Sequence, residues 1–304
     1  MDDKEFGLRV RNLRERAEIT REDFCGDEIE LSIRQLSRIE TGSSKPTFSK
    51  ISFIADRLGM TLYELMPDYV ELDSTYLHLK YQVLRTPTYG EERLIQQRDE
   101  WLDQIYENFY EELPEEEQIV IDTLRSIFDV IETGCISYGK DIIADYFYQS
   151  IQKSKWTVND LTIFRLFIAH TNEEDITKEC QTYTVMTALA HRLTKEIQQF
   201  DAEALFVVRD LLFAIIHTLY GIKEYEYVLP SVNAIEHIMK RTQDFQKKPI
   251  LQLVKWKYAL EVEGNAKQAK EYYQEAILFA KLLDEEHLVT QLEKEWQLDS
   301  KNKK

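Results

Sequence analysis

An all-α fold is what this sequence predicts, five short helices followed by a long run of helix pairs, and three observations carry that reading. Among 304 residues there are 9 glycines and 6 prolines, too few for a sheet built on many tight turns. Apolar residues recur at three- and four-residue spacing through most of the chain. Past the turn at Gly90, the stretches between turn residues run to about 15–22 residues, the length of helices and not of strands.

The first helix carries Phe6, Val10, Leu13 and Ala17 at helical spacing. In ITREDF, Thr20 is placed to cap a short second helix, Asp23 sits at the third position of a loose capping box, and Gly26 lies near the end. Ser32 is a natural N-cap for a third helix. There Ile33, Leu36 and Ile39 share one arc, and Arg34, Gln35 and Arg38 share the opposite one. Gly42 stops that helix and Pro46 opens the next segment, where TFSKISFIADRLG forms a fourth helix with Ile51, Ile54, Ala55 and Leu58 inward. TLYELM makes a short fifth helix. Five short helices within residues 1–66, the third protruding, form a DNA-binding arrangement.

PDYVELDST, residues 67–75, breaks the helical pattern with a proline and an acidic run and marks a linker, leaving residues 76–304 as a second domain. One short helix leads into a Pro87-Thr88-Tyr89-Gly90 turn. Later helices are punctuated by Pro114, Gly134, Gly139, the TNEED run, Gly221, Pro249 and Gly264. In YALEVEGNAKQAKEYYQEAILFA, the residues Tyr258, Gly264, Ala269, Tyr272 and Ala276 stand at the packing positions of a tetratricopeptide motif, without its terminal proline. GIKEYEYVLPSVNAIEHI upstream repeats the pattern in weaker form. Stacked repeats of this kind make an α-solenoid whose concave face can hold an extended peptide.

Composition removes several function classes. No stretch approaches the ~20 apolar residues of a membrane span, and MDDKEFGLRV has no apolar signal core, so a cytoplasmic location is expected. Cys25, Cys135 and Cys180 are odd in number and far apart, which suggests neither a disulfide framework nor a zinc site. The six histidines are dispersed, and His170 and His217 read as core residues of apolar segments. No GxGxxG, GxSxG or GxxxxGK loop is present. In so acidic a chain, carboxylate pairs are solvated helix faces before they are acid–base dyads. No enzyme, catalytic residue, metal or cofactor is expected.

The runs LRVRNLRERAEITREDFC and LSIRQLSRIETGSSKPTFSKISFIADRLGM resemble the phage-repressor type of helix-turn-helix, the Xre family, with Ile39, Glu40, Gly42, Pro46 and the fourth-helix apolar pattern in register. The sequence departs at Arg21, where that family commonly has a glutamine beside a phosphate. The resemblance implies that the third helix enters the major groove, with Arg34 and Arg38 on guanine edges and Gln35 on adenine, each good contact giving about 1–3 kcal/mol of discrimination. Arg14, Arg21, Lys45 and Lys50 become candidates for phosphate contacts. A plainer alternative stays open, in which Gln35 only completes a Ser32 capping box and the arginines only solubilise a surface helix. The formal charge is -17, of which residues 1–66 carry -2 and the rest -15. DNA affinity then depends on a local basic patch, and two such domains acting together on a two-fold site are expected.

With RQLSRIE upstream, TPTYGEERLIQQRDEWLDQIYENFYEELPEEE completes a resemblance to the Rgg group of Gram-positive peptide-pheromone regulators, most of all to its ComR branch, which controls competence. This implies a cytoplasmic quorum-sensing receptor for a short imported hydrophobic peptide, and a transcriptional regulator, an activator by family resemblance. In that family the free state holds the reading helix against the solenoid until peptide binding releases it for dimerisation on promoter DNA. Glu115, Glu116 and Glu117 are the candidates for an interdomain lock on Arg34 and Arg38, although carboxylates at a helix start also simply complement the dipole. For the peptide, Thr88 and Arg98 lie where the resemblance is strongest, and Arg98 is a candidate partner for a C-terminal carboxylate or for a neighbouring acid. Phe164, Phe167, Phe206 and Phe213 stand at helical spacing, as a ligand wall or as core packing. The competing reading is a tetratricopeptide adaptor or antagonist whose helix-turn-helix serves protein interaction.

Overall fold

The computed structural model describes residues 3–60, 62–66, 72–171, 176–178 and 180–301. The described residues are helical throughout, without a strand. Most of the expected linker and of the TNEED turn lie outside them.

The N-terminal helices are α1 (Asp3–Arg16), α2 (Arg21–Cys25), α3 (Ile33–Glu40), α4 (Phe48–Leu58) and α5 (Leu62–Leu65). Their core joins Phe6, Val10, Phe24, Leu31, Leu36, Ile39, Ile51, Ile54 and Leu65. Thr20 caps α2 by accepting the Asp23 amide, as the sequence suggests. Ala17 does not extend the inward stripe of α1, because the helix ends at Arg16 and Ala17 is exposed. The stripe continues instead through Arg14. Gly7 lets α1 approach α3 closely: a Cβ there would stand 2.1 Å from the Ile39 carbonyl oxygen. Gly42, at φ +68°, turns the chain out of α3 against Lys4.

There follow α6 (Ser74–Arg85), α7 (Glu92–Asn108), a single 3-10 turn at Tyr110–Glu112, α8 (Glu115–Thr133), α9 (Lys140–Gln152) and α10 (Val158–Ala169). Next come α11 (Gln181–Lys195), α12 (Ala202–Gly221), α13 (Val228–Thr242), α14 (Lys248–Glu261), α15 (Ala266–Leu282) and α16 (Glu286–Lys301). Two compact units emerge, residues 1–80 with 102–170, and residues 81–101 with 171–304, so the division falls within α6 and α7.

In the first unit α10 packs on α8 and α9. Phe147 stacks on Phe167 at 4.3 Å and meets Phe164 edge-on at 5.8 Å, with Trp156 against Phe164 at 4.9 Å. Phe164 and Phe167 therefore pack with other aromatic rings. In the second unit successive helices pair, α12 on α13, α13 on α14, α14 on α15 and α15 on α16. Ala269, Ala276 and Ala280 are fully buried against Trp256 and Ala259, small residues letting α14 and α15 approach as a tetratricopeptide pair. The indole of Trp256 donates to Asp299 at 2.8 Å, and Lys257 reaches Glu295 at 2.6 Å, tying α16 to α14.

Candidate nucleic-acid interface

The reading helix is shaped by local chemistry. Ser32 accepts the Gln35 amide at 3.2 Å, and the Gln35 side-chain oxygen accepts the Ser32 amide at 3.1 Å, a complete capping box. That oxygen keeps a second lone pair and the amide nitrogen its two protons, so capping leaves Gln35 with groups for a base edge. Leu36 and Ile39 are buried, Arg34 is exposed, and Arg38 is half-buried on the opposite arc.

Glu40, the last residue of α3, is enclosed between two arginines. Arg14 donates to it through Nε at 2.6 Å and Nη2 at 3.2 Å, and Arg21 donates through Nε at 2.7 Å. Arg14 also reaches the Ile19 carbonyl at 2.7 Å. The hydrogen bond to Glu40 raises the pKa of Arg14 above its ordinary value, against the effect of burial. The expected phosphate role is not the one the geometry gives Arg14, which is 6% exposed and braces α1 on α3 from inside. Its position in the repeat Phe6, Val10, Arg14 is the sequence signal for that. Arg21 shares the brace while remaining about one-third exposed.

The three acids that open α8 take different partners. Glu115 pairs with Arg38 and accepts the Ser44 hydroxyl. Its own amide donates to the Lys45 carbonyl at 3.1 Å. Glu116 pairs with Lys50 at 3.1 Å and accepts the Thr47 hydroxyl at 2.6 Å. Lys50 is itself buried and also donates to the Glu30 carbonyl, while Lys45 Nζ reaches the Glu112 carbonyl at 3.1 Å. Among the described residues Glu117 makes no hydrogen bond or ion pair with the N-terminal helices, contrary to expectation: its carboxylate goes to Lys80 and Tyr76 of α6. Successive residues of a helix leave its axis about 100° apart, so three adjacent carboxylates cannot share one partner surface.

Nor does Arg34 pair with α8. It meets Asp145 of α9 at 3.3 Å, an exposed pair worth well under ~1 kcal/mol. Gln149 of α9 donates to the Glu28 carbonyl at 2.6 Å, and Tyr146 points its hydroxyl at Glu115 at 3.4 Å. Burial, then the charge of Glu115, pushes the Tyr146 phenol up to about 12, so it stays a neutral donor. Together α3, α8 and α9 form an open cleft of about 200 Å³ whose lining includes Arg34, Gln35, Arg38, Glu115 and Asp145. The part played by α9 has no local sequence signal.

In the second unit, Thr88 is half-buried in the turn after α6, where its carbonyl accepts the Glu91 amide at 2.9 Å. Arg98 is 6% exposed and binds Asp99 at 2.8 Å. A second buried charge cluster lies around Arg209, 1% exposed. Its Nε meets Asp210 at 3.0 Å, its Nη2 the Arg85 carbonyl at 3.3 Å, and its Nη1, 3.8 Å from Asp244, has no hydrogen-bond partner among the described residues. Arg85 pairs with Asp244 at 2.8 Å and Lys247 with Asp210 at 2.6 Å. Arg209, Arg85 and Lys247 thus gather around Asp210 and Asp244. An Arg-Asp pair in the middle of LFVVRDLLF was its sequence signal.

Comparison with known proteins agrees with this architecture. The helix-turn-helix domain family matches residues 5–65, and the family described as ComR tetratricopeptide matches residues 74–296. The crystal structure of ComR from Streptococcus suis is 47% identical, over 99% of this chain and 96% of that one, with a TM-score of 0.81. This chain belongs to the ComR family. Another ComR, from S. thermophilus, aligns in its apo form at 29% identity, 98% of this chain and 99% of that one, TM-score 0.80. Solved with DNA and its signalling peptide ComS, S. thermophilus ComR aligns at 28% identity, 97% of this chain and 99% of that one, TM-score 0.67. No curated protein matches the chain. Members of the ComR family are competence regulators, and among the described residues no helix of this one is long and apolar enough to cross a membrane.

Proposed function

We propose that this chain is a cytoplasmic, peptide-pheromone-controlled regulator of competence transcription, an activator that binds promoter DNA as a homodimer once a short hydrophobic peptide has released its reading helix. Residues 1–66 act as the DNA-binding domain and residues 76–304 as the peptide-binding and dimerisation domain, joined by the linker 67–75. Arg34, Gln35 and Arg38 read base edges, and Arg21, Lys45 and Lys50 hold phosphates.

One observation carries the reading: the groups that DNA needs are already occupied by carboxylates of the same chain, Arg38 by Glu115, Lys50 by Glu116 and Arg34 by Asp145. Carboxylate oxygens satisfy guanidinium and ammonium donors much as phosphate oxygens do, so lock and operator compete for the same atoms. The greater similarity to apo S. thermophilus ComR than to its complex supports reading this as the peptide-free state. In the second unit, the gathering of Arg209, Arg85 and Lys247, with Arg85 three residues before Thr88, supports a site for a peptide carboxylate there rather than at Arg98 alone.

Fluorescence anisotropy of the purified protein on promoter DNA beside its own gene, with and without short hydrophobic peptides encoded nearby, tests this. Peptide-dependent tightening is expected. Tight binding that ignores every such peptide would overturn the proposed control.

A further inference from the structure

The lock requires α8 to present Glu115 and Glu116 in a fixed orientation, yet its first turn has little of its own to hold it. Pro114 stands at the N-cap and offers no side-chain hydrogen bond. Three consecutive carboxylates repel one another, and the helix dipole compensates only part of that. Gln118 donates its side-chain amide to the Tyr110 carbonyl at 2.8 Å, and the charged anchor on the other side is Glu117. It accepts the Tyr76 hydroxyl and the Lys80 ammonium, the latter at 2.9 Å, on the same oxygen. Tyr76 is fully buried, Lys80 is 4% exposed, and the Glu117 side chain is 16% exposed. Lys80 also lies 5.9 Å from the Tyr76 ring centre, and Tyr76 packs against Phe109 at 6.3 Å.

Glu117 and Glu115 belong to one turn, so any rotation or fraying that moves one moves the other. We infer that Lys80 and Tyr76 are positioning residues for the lock: by holding Glu117 they set the rotation of α8 at which Glu115 and Glu116 meet Arg38 and Lys50. This inference rests on the lock proposed above. Among the described residues neither Lys80 nor Tyr76 hydrogen-bonds Arg34, Gln35 or Arg38, and Glu117 is the link from both to the lock. An enclosed carboxylate stripped of its cation either takes up a proton or moves to water, and moving to water unwinds the presenting turn.

The test is anisotropy on promoter DNA for the full chain without peptide and at saturating peptide, with Glu115→Ala as the reference for an opened lock. Lys80→Met is expected to tighten peptide-free binding roughly fivefold or more, the lower range of ordinary coupling between sites, and to leave peptide-saturated binding unchanged. Adding Glu117→Gln to Lys80→Met is expected to restore weak peptide-free binding, because a neutral amide needs no cation and still accepts the Tyr76 hydroxyl. Tyr76→Phe removes only that hydroxyl, keeps the buried ring, and should shift binding the same way by less; it serves if Lys80→Met fails to fold. Tightening by Glu115→Ala with none by Lys80→Met or Tyr76→Phe overturns the positioning role and leaves the lock standing. Tightening by Lys80→Met that Glu117→Gln does not reverse also overturns it. No tightening by Glu115→Ala removes both lock and positioning role.

Discussion

Arg14 separates two ways of using an arginine in a DNA-binding domain, and replacing it with methionine tells them apart. The methionine keeps most of the buried stem but leaves Glu40 with Arg21 as its remaining guanidinium. Breaking a buried ion pair costs about 3–5 kcal/mol, and with one of two cations retained the lower figure applies, about 3 kcal/mol. For a unit of this size each kcal/mol shifts Tm by roughly 2–4 °C, so a fall of about 6–12 °C is expected in circular-dichroism melts. DNA affinity measured at saturating peptide between about 50 and 200 mM salt should keep its slope, because no phosphate contact is lost. If Arg14 instead held a phosphate, log K against log salt would lose about 0.9 in slope while Tm stayed put. That pair of results would refute the assignment of Arg14 to the interior.

Gly7→Ala places a Cβ 2.1 Å from the Ile39 carbonyl oxygen, so α1 and α3 must separate; a loss of at least about 1–3 kcal/mol should appear in thermal melts. Ser32→Ala removes one half of the capping box on the reading helix and should destabilise by about 1 kcal/mol, with Ser32→Asn losing far less in the same melts. Burial alone would raise the Glu236 carboxyl, but hydrogen bonds from Lys255 and Lys248 bring it below its ordinary value. Its folded pKa being the lower one, its contribution is present above the ordinary carboxylate range and is lost as pH falls through the folded value. The Tm gap between wild type and Glu236→Gln should therefore shrink on acidification from about pH 7 to about pH 3.

Much of this protein was decided by neighbours along the chain. The capping box of Ser32 with Gln35, the cap of Thr20 on Asp23, the stop at Gly42 and the alanine positions 269 and 276 are local, since a helix end or a packing stripe is set by residues three or four apart. The acids at 115–117 could be read as a helix start meeting basic groups, but not how they divide among them. Only the fold sends Glu115 to Arg38, Glu116 to Lys50 and Glu117 to Lys80, because three adjacent side chains on one turn cannot all face one surface. Arg14 stood as a candidate for a phosphate contact because its partner Glu40 is 26 residues away, and periodicity reports that a position is inward without reporting what neutralises it there. The pairs of Arg34 with Asp145 and Arg85 with Asp244 join residues more than a hundred positions apart. Sequence determined which helices exist and which of their faces carry charge. Tertiary structure alone decided which opposite charge Arg14, Arg34, Arg38, Lys50 and Arg85 meet, because Coulomb attraction and desolvation depend on distances in space that no local repeat encodes.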